Sequence, residues 1–216
     1  MLMDLIAPSV GLGLGVIAAI LSTRVFTPTD IPPRRISPVR VGGMALAGLV
    51  LGIWSGLQLD GPLAWAGAAF GVALLLIAVV DAEHFWLPNI LTLPLGAAGL
   101  AVSLVFGPGR FIDHVIGAAI GFLALAGLAA AYKRLRGRDG LGGGDARLLA
   151  ALGAWVGWAG LPSILVWASV AGLSWVLARI LMRRPPAPDT ALPFGTYMAI
   201  GAWLTWLYGP LGRSGW

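Results

Sequence analysis

Apolar residues come in long runs along this chain, parted by short polar or basic breaks. A helix needs roughly 20 predominantly apolar residues, within about 17–25, to cross the hydrocarbon core of a bilayer. By that measure the pattern predicts eight spans, roughly at 5–22, 41–58, 62–80, 88–106, 112–132, 145–160, 161–182 and 193–209. The sixth is short and interrupted by Gly153, Gly157 and Gly160. Its boundary with the seventh, at Gly160–Pro162, is the least sharply marked. The predicted fold class is all-α: a polytopic transmembrane helical bundle, forming one membrane-embedded domain over residues 1–216. Met1 to Val10 holds Asp4 but no Lys or Arg. The basic region of a cleaved signal peptide is therefore missing, and the first run is expected to remain as a helix.

Composition strengthens the membrane assignment. Hydrophobic residues make up 58% and charged residues only 11%, with a mean hydropathy of +0.89. Soluble domains carry about 25% charged residues. The chain has no cysteine, which excludes disulfides, thiolate catalysis and cysteine-based metal sites.

Net charge is +5, but its distribution argues against nucleic acid as a partner. Arg24, Arg34, Arg35 and Arg40 mark the first loop. Lys133, Arg134, Arg136 and Arg138 precede the sixth span, with Arg147 just beyond. Arg183 and Arg184 precede the last span. If spans alternate, these loops share one side, and the other holds only Arg110 and Arg213. Cytoplasmic loops carry the excess of Lys and Arg, so both termini are expected outside and the basic loops in the cytoplasm.

Trp54, Trp65, Trp155, Trp158, Trp203 and Trp206 fall near the expected outer ends, as an interfacial aromatic belt requires. Trp167 and Trp175 are expected to pack between helices. Gly67/Gly71, Gly117/Gly121 and Gly153/Gly157 have the four-residue spacing that lets helices approach closely, and they read as packing positions.

Nine acidic residues are present. A charge at the bilayer centre costs about 2.5–3.5 kcal/mol on insertion scales, so an acid beside a span needs a reason. Asp4, Asp60 and Asp113 fit outer loops or helix ends. Asp30, Asp139 and Asp189 fit loops on the basic side. Asp81 and Asp145 differ: the first ends an apolar run, the second opens one after Gly142-Gly143-Gly144. Both are expected at the basic membrane surface, and they meet if the third and sixth helices pack together. Two carboxylates sharing a site do not both ionise easily. One then serves as general base towards water while the other, protonated, polarises a carbonyl. Spacing alone leaves a second reading equally open, in which each Asp caps or snorkels at a helix end.

Three glycines remove side-chain bulk and permit unusual backbone angles, so a substrate backbone could approach Asp145 there. Asp145 also falls in the first turn of its helix, where the dipole favours negative charge, and Arg147 lies nearby. A phosphate-binding loop would end in Lys-Ser/Thr, which is absent. Asn89, after Pro88, either caps a helix or hydrogen-bonds across helices in support of the acids. His84 reads as a surface histidine at a helix end. No His/Asp/Glu cluster has metal-ligand spacing, and no serine nucleophile motif is present.

Asp81-Ala-Glu-His-Phe-Trp-Leu-Pro-Asn-Ile-Leu-Thr-Leu-Pro-Leu95 resembles the first catalytic segment of the type IV prepilin leader peptidases. Gly140-Leu-Gly-Gly-Gly-Asp-Ala-Arg147 and the run to Trp155 resemble their second segment, with its Gly-x-Gly-Asp motif. Leu192-Pro-Phe-Gly-Thr-Tyr and the run to Trp203 are similar to their C-terminal Pro-Phe-Gly segment, Pro193, Phe194 and Gly195. The resemblance extends over residues 36–209. It implies an aspartyl endopeptidase of the prokaryotic inner membrane, without cofactor or metal, whose catalytic pair is Asp81 and Asp145. It further implies that Gly142, Gly143, Gly144, Pro88, Asn89, Arg147, Pro193, Phe194 and Gly195 support the site or the substrate. The implied partners are membrane lipid and a prepilin or pseudopilin bearing a basic leader and an apolar helix, cut at the cytoplasmic face in pilus assembly or type II secretion. Many members also carry a cytoplasmic insertion with two Cys-x-x-Cys pairs and methylate the new N-terminus with S-adenosylmethionine. Here residues 23–40 form only a short loop in its place, so the methyltransferase activity is not expected.

Two other classes fit less well. A proton-coupled transporter or channel would hold carboxylates near mid-span. A polyprenyl-phosphate sugar-phosphate transferase, whose loop Asp30-Ile-Pro-Pro-Arg-Arg-Ile-Ser-Pro-Val-Arg-Val-Gly-Gly43 weakly resembles, needs adjacent aspartates for magnesium; the chain has no Asp-Asp pair.

Overall fold

The computed structural model describes residues 6–24, 36–137, 142–184 and 192–212. Asp4, Asp30, Arg34, Arg35, Arg138, Asp139, Asp189, Arg213 and most of the 23–40 loop lie outside the described residues. Seven α-helices follow one another: α1 (Ile6–Arg24), α2 (Pro38–Gln58), α3 (Gly61–His84), α4 (Asn89–Phe106), α5 (Phe111–Arg136), α6 (Gly143–Leu181) and α7 (Phe194–Tyr208). Six are long and apolar enough to cross a membrane. The described residues contain no strand. The chain is thus an all-helical, multi-pass membrane protein.

The expected eight spans correspond to eight helical segments, because α6 is not one rod. At Gly157 the backbone leaves helical angles (φ 69, ψ 174), a region essentially reserved for glycine. Packing gives the direction of each half. Phe70 stacks on Trp155 while Asp81 and Asp145 share a cavity, so α3 runs antiparallel to the 143–156 half. Gly71 faces Trp203 and Gly195 faces Asp81, so α7 is also antiparallel to α3. Gly172 faces Tyr197 and Gly201 faces Ile164, so the 158–181 half opposes α7. The chain therefore reverses at Gly157, ahead of the Gly160–Pro162 boundary expected from the sequence.

The core lies where α3, α6 and α7 meet, around Phe70, Ile77, Leu148, Leu152, Ile164 and Met198. The tryptophans correct one expectation. Trp155, Trp203 and Trp206 do not form an interfacial belt; they are buried. Phe70 and Trp155 stack with centroids 4.1 Å apart, and Trp206 meets both edge-on. Trp54 packs edge-on against Trp203 and donates from Nε1 to the Tyr208 hydroxyl at 3.1 Å. Aromatic pairs in these geometries gain about 0.5–1.5 kcal/mol beyond the area they bury. Trp158 remains exposed and donates to Asp113. Trp175, expected to pack between helices, is partly exposed beneath the Arg179 guanidinium.

Glycine sets the closest helix approaches. Gly117 and Gly121 of α5 lie against Gly153 and Leu149 of α6, where a Cβ at Gly117 would sit 2.5 Å from the Gly153 carbonyl oxygen. Gly11 and Gly15 of α1 meet α2 at Gly48 and Met44 in the same way, although their spacing was not singled out in the sequence.

Candidate active site

Asp81 stands one turn before the end of α3 and is 5% exposed. The helix stops at Phe85, which adopts the left-handed conformation (φ 51, ψ 34) and donates its N–H to the Asp81 carbonyl oxygen at 2.8 Å. That conformation is costly for a residue with a Cβ, and it turns the chain sharply away from α3. Trp86 and Leu87 then lead to Pro88, the N-cap of α4.

Asp145 comes from the opposite direction. Gly142 is the N-cap of α6 in an extended conformation (φ −69, ψ 135), and Asp145 lies in the first turn, its N–H bonded to the Gly142 carbonyl oxygen at 3.1 Å. The glycine triplet therefore uses none of the unusual backbone angles expected of it. Its value is absent bulk: a Cβ at Gly144 would lie 2.8 Å from the Leu87 Cβ, so the two chain segments touch directly.

Both aspartates line one cavity of about 670 Å³. Gly142, Gly143, Gly144, Arg147 and Phe194 line it too, together with Phe85, Trp86, Leu87, Leu125, Leu128 and Leu192. Pro193 is the N-cap of α7. Gly195 is buried against Asp81, where a Cβ would come within 3.0 Å of the carboxyl carbon. Pro88 and Asn89 sit beside the cavity rather than in its wall. Asn89 accepts a hydrogen bond from Arg147, so two residues singled out separately in the sequence are partners.

Thr196 was not singled out. Its backbone N–H donates to Asp81 Oδ2 at 2.8 Å, and its hydroxyl lies 3.3 Å from the same oxygen and 2.9 Å from the Ala78 carbonyl oxygen. A hydroxyl has one hydrogen and two lone pairs. It donates to Asp81 when that carboxyl is ionised. Turned the other way, it donates to the Ala78 carbonyl oxygen and leaves its lone pairs for a protonated carboxyl. The only sequence signal was its place after Phe194-Gly195, and the pairing spans 115 residues.

A second tie holds the same end of the bundle. Arg40 pairs with Glu83 at 2.6 and 3.0 Å and donates to the Ser22 hydroxyl at 2.9 Å, joining α1, α2 and α3. His84 is not the surface histidine expected: its side chain is largely buried, 3.9 Å from Glu83. No group of three or more His, Asp or Glu gathers as for a metal ion among the described residues.

A polytopic helical bundle with two aspartates lining one cavity at the ends of its helices is a membrane protein with carboxyl groups gathered at one end. The chain belongs to the type IV leader peptidase family, whose model matches residues 68–177, a stretch that includes both aspartates. It is similar to the prepilin leader peptidase/N-methyltransferase of Aeromonas salmonicida, with 42% identity over 136 residues, covering 63% of this chain and 46% of that protein. It is similar also to the protein so named in Burkholderia pseudomallei, with 43% identity over 155 residues, covering 71% and 50%. The Pseudomonas aeruginosa protein of that name is 39% identical over 138 residues, covering 63% and 47%. The chain thus spans about half the length of the curated relatives it matches. No solved structure matches it significantly.

Proposed function

We propose that this chain is a membrane aspartyl endopeptidase that removes the short basic leader from prepilins or pseudopilins, with Asp81 and Asp145 as its catalytic pair. The observation that carries it is the shared cavity of the two carboxylates, within the stretch matched by the family. In the reaction, the ionised carboxylate takes a proton from water as the oxygen attacks the scissile carbonyl. The protonated carboxyl hydrogen-bonds to that carbonyl and stabilises the oxyanion. Collapse of the tetrahedral intermediate breaks the C–N bond as the carboxyl that took the proton from water passes it to the leaving amine, which restores one ionised and one protonated carboxyl. Water is consumed, no covalent enzyme intermediate forms, and no cofactor takes part. The glycine triplet gives the extended scissile segment access to Asp145; Gly195 and Thr196 brace Asp81 from the other side, and Phe194 lines the cavity.

The site opens to the cytoplasm in this proposal. Arg40, Lys133, Arg134, Arg136, Arg147, Arg183 and Arg184 gather at the end of the bundle that carries the aspartates, and Arg110 lies at the other. That asymmetry follows the positive-inside rule for a prokaryotic inner membrane. The end is suited to headgroups of the surrounding lipid, and the whole chain acts as one peptidase domain. The cut leaves an unmethylated N-terminus, because neither the 23–40 loop nor the rest of the chain offers the cysteine-bearing insertion.

The test is cleavage of a model prepilin in liposomes by wild type, Asp81→Asn and Asp145→Asn, with mass spectrometry of the product. Wild type is expected to cut once after the leader and to leave the product unmethylated. Each Asn variant is expected to fold and to lose cleavage by at least about a hundredfold, the scale of general acid–base contributions. Normal cutting by either Asn variant removes the paired-carboxylate mechanism.

A further inference from the structure

A second concavity adjoins the first and has no part in the chemistry above. Helices α4 and α5 are consecutive, yet they scarcely touch, and each instead packs along the 143–156 half of α6. Between them runs a groove of about 560 Å³ lined by Leu93, Gly96, Ala97, Ala118, Phe122 and Ala151 among others. Small side chains predominate, the surface that lets another helix come close within a bilayer. At one end stand Asn89 and Arg147, and Arg147 lines the aspartate cavity as well. The groove and the cavity therefore meet at Arg147.

Thr92 distinguishes this groove from a plain lipid-facing crease. It lines the groove, is 1% exposed, and its hydroxyl has no hydrogen-bond partner among the described residues. A helical threonine usually turns its hydroxyl to the carbonyl three or four residues back. Four back is the Pro88 carbonyl, which already accepts from the N–H groups of Leu91 and Thr92. A buried hydroxyl without a partner costs about 1–3 kcal/mol. The hydroxyl oxygen is itself covered, so only an occupant that shifts the groove wall reaches it; an acyl chain then offers it nothing, whereas a peptide helix brings carbonyl oxygens and small polar side chains.

We infer that this groove receives the apolar helical segment of the peptide substrate, while the segment to be cut enters the adjoining cavity past Arg147. The inference rests on the peptidase proposal. It assigns substrate recognition to the groove faces of α4, α5 and α6 beside the aspartate cavity, and makes a transmembrane helix of the substrate, not its leader alone, a determinant of binding.

The chain has no cysteine, which makes cross-linking direct. Ala118→Cys is paired with a model prepilin carrying single cysteines at successive positions of its apolar segment, and mild oxidation is applied in liposomes. Leu173→Cys, exposed on the far half of α6, is the control. Cross-links are expected at substrate positions three or four apart with Ala118→Cys, and none with Leu173→Cys. In parallel, Ala118→Phe is expected to raise KM for the precursor by about tenfold, as for overfilling a fitted site, with kcat within about twofold of wild type. Equal cross-linking from both positions overturns the groove assignment. So does a precursor cut normally by wild type yet neither cross-linked at Ala118→Cys nor weakened by Ala118→Phe, the result expected if lipid fills the groove. A wild type that cuts no precursor overturns the peptidase proposal first, and this inference with it.

Discussion

Three consecutive glycines edge the cavity, and they are not equivalent. A Cβ at Gly144 would press on Leu87 at 2.8 Å, whereas one at Gly143 would meet only the flexible end of Arg147 at 3.7 Å. Gly144→Ala is expected to destabilise the bundle by about 1–3 kcal/mol, as overpacking does, and to impair cleavage. Gly143→Ala is expected to be neutral or to stabilise by up to about 1 kcal/mol through helix propensity. Thermal unfolding in detergent, read beside leader cleavage, separates them, and equal loss in both would show that backbone freedom matters after all. At Thr196 the hydroxyl and the backbone N–H act on one oxygen of Asp81. Thr196→Val keeps the N–H and the shape but deletes the hydroxyl. A hydrogen bond to a charged group contributes about 1.5 kcal/mol to stability at the low end, so the melting temperature should fall by roughly 3–6 °C; loss of the same contact from the reacting carboxylate should lower kcat by about tenfold, with KM little changed. Thr196→Ser should restore the rate, and a Ser variant as slow as Val would rule out the hydroxyl.

Among the helices, α6 carries the most informative irregularity. Gly157→Ala places no atom in conflict, since the nearest neighbour of a new Cβ is the Asp113 carbonyl oxygen at 3.7 Å. The backbone angles alone oppose it, at a cost of about 1–3 kcal/mol. Chemical unfolding in detergent should show that loss for Gly157→Ala, and much less for Gly127→Ala, which meets nothing within 4 Å. Equal losses would mean that the reversal does not depend on glycine. The apolar runs made eight helical segments legible, because burial in lipid demands length and apolarity of every segment. The point of reversal was not legible. Gly153, Gly157 and Gly160 look alike as letters, and only the positive φ of Gly157 sets it apart. The tryptophans failed for a related reason. Their distance from a span end was readable, but helices apolar on all sides carry no periodic signal of which face turns inward.

For the whole bundle, the orientation is directly testable. Leu135, 84% exposed, lies at the basic end, and Leu57, 76% exposed, lies at the opposite end. In intact cells a membrane-impermeant maleimide should label Leu57→Cys and spare Leu135→Cys until the membrane is opened, and the reverse pattern would place the aspartates outside. Asp81 and Asp145 were legible because each sits where an apolar run meets a polar break. Thr196 was not, because only the folded bundle brings the start of α7 to the end of α3. That separation bears on how the protein is made. A ribosome that has inserted the first three helices has delivered one carboxylate, the second follows 64 residues later, and the residue bracing the first arrives 115 residues after it. A nascent chain that has not yet delivered α7 therefore holds no complete site, and any hydrolytic power it comes to have waits on that helix.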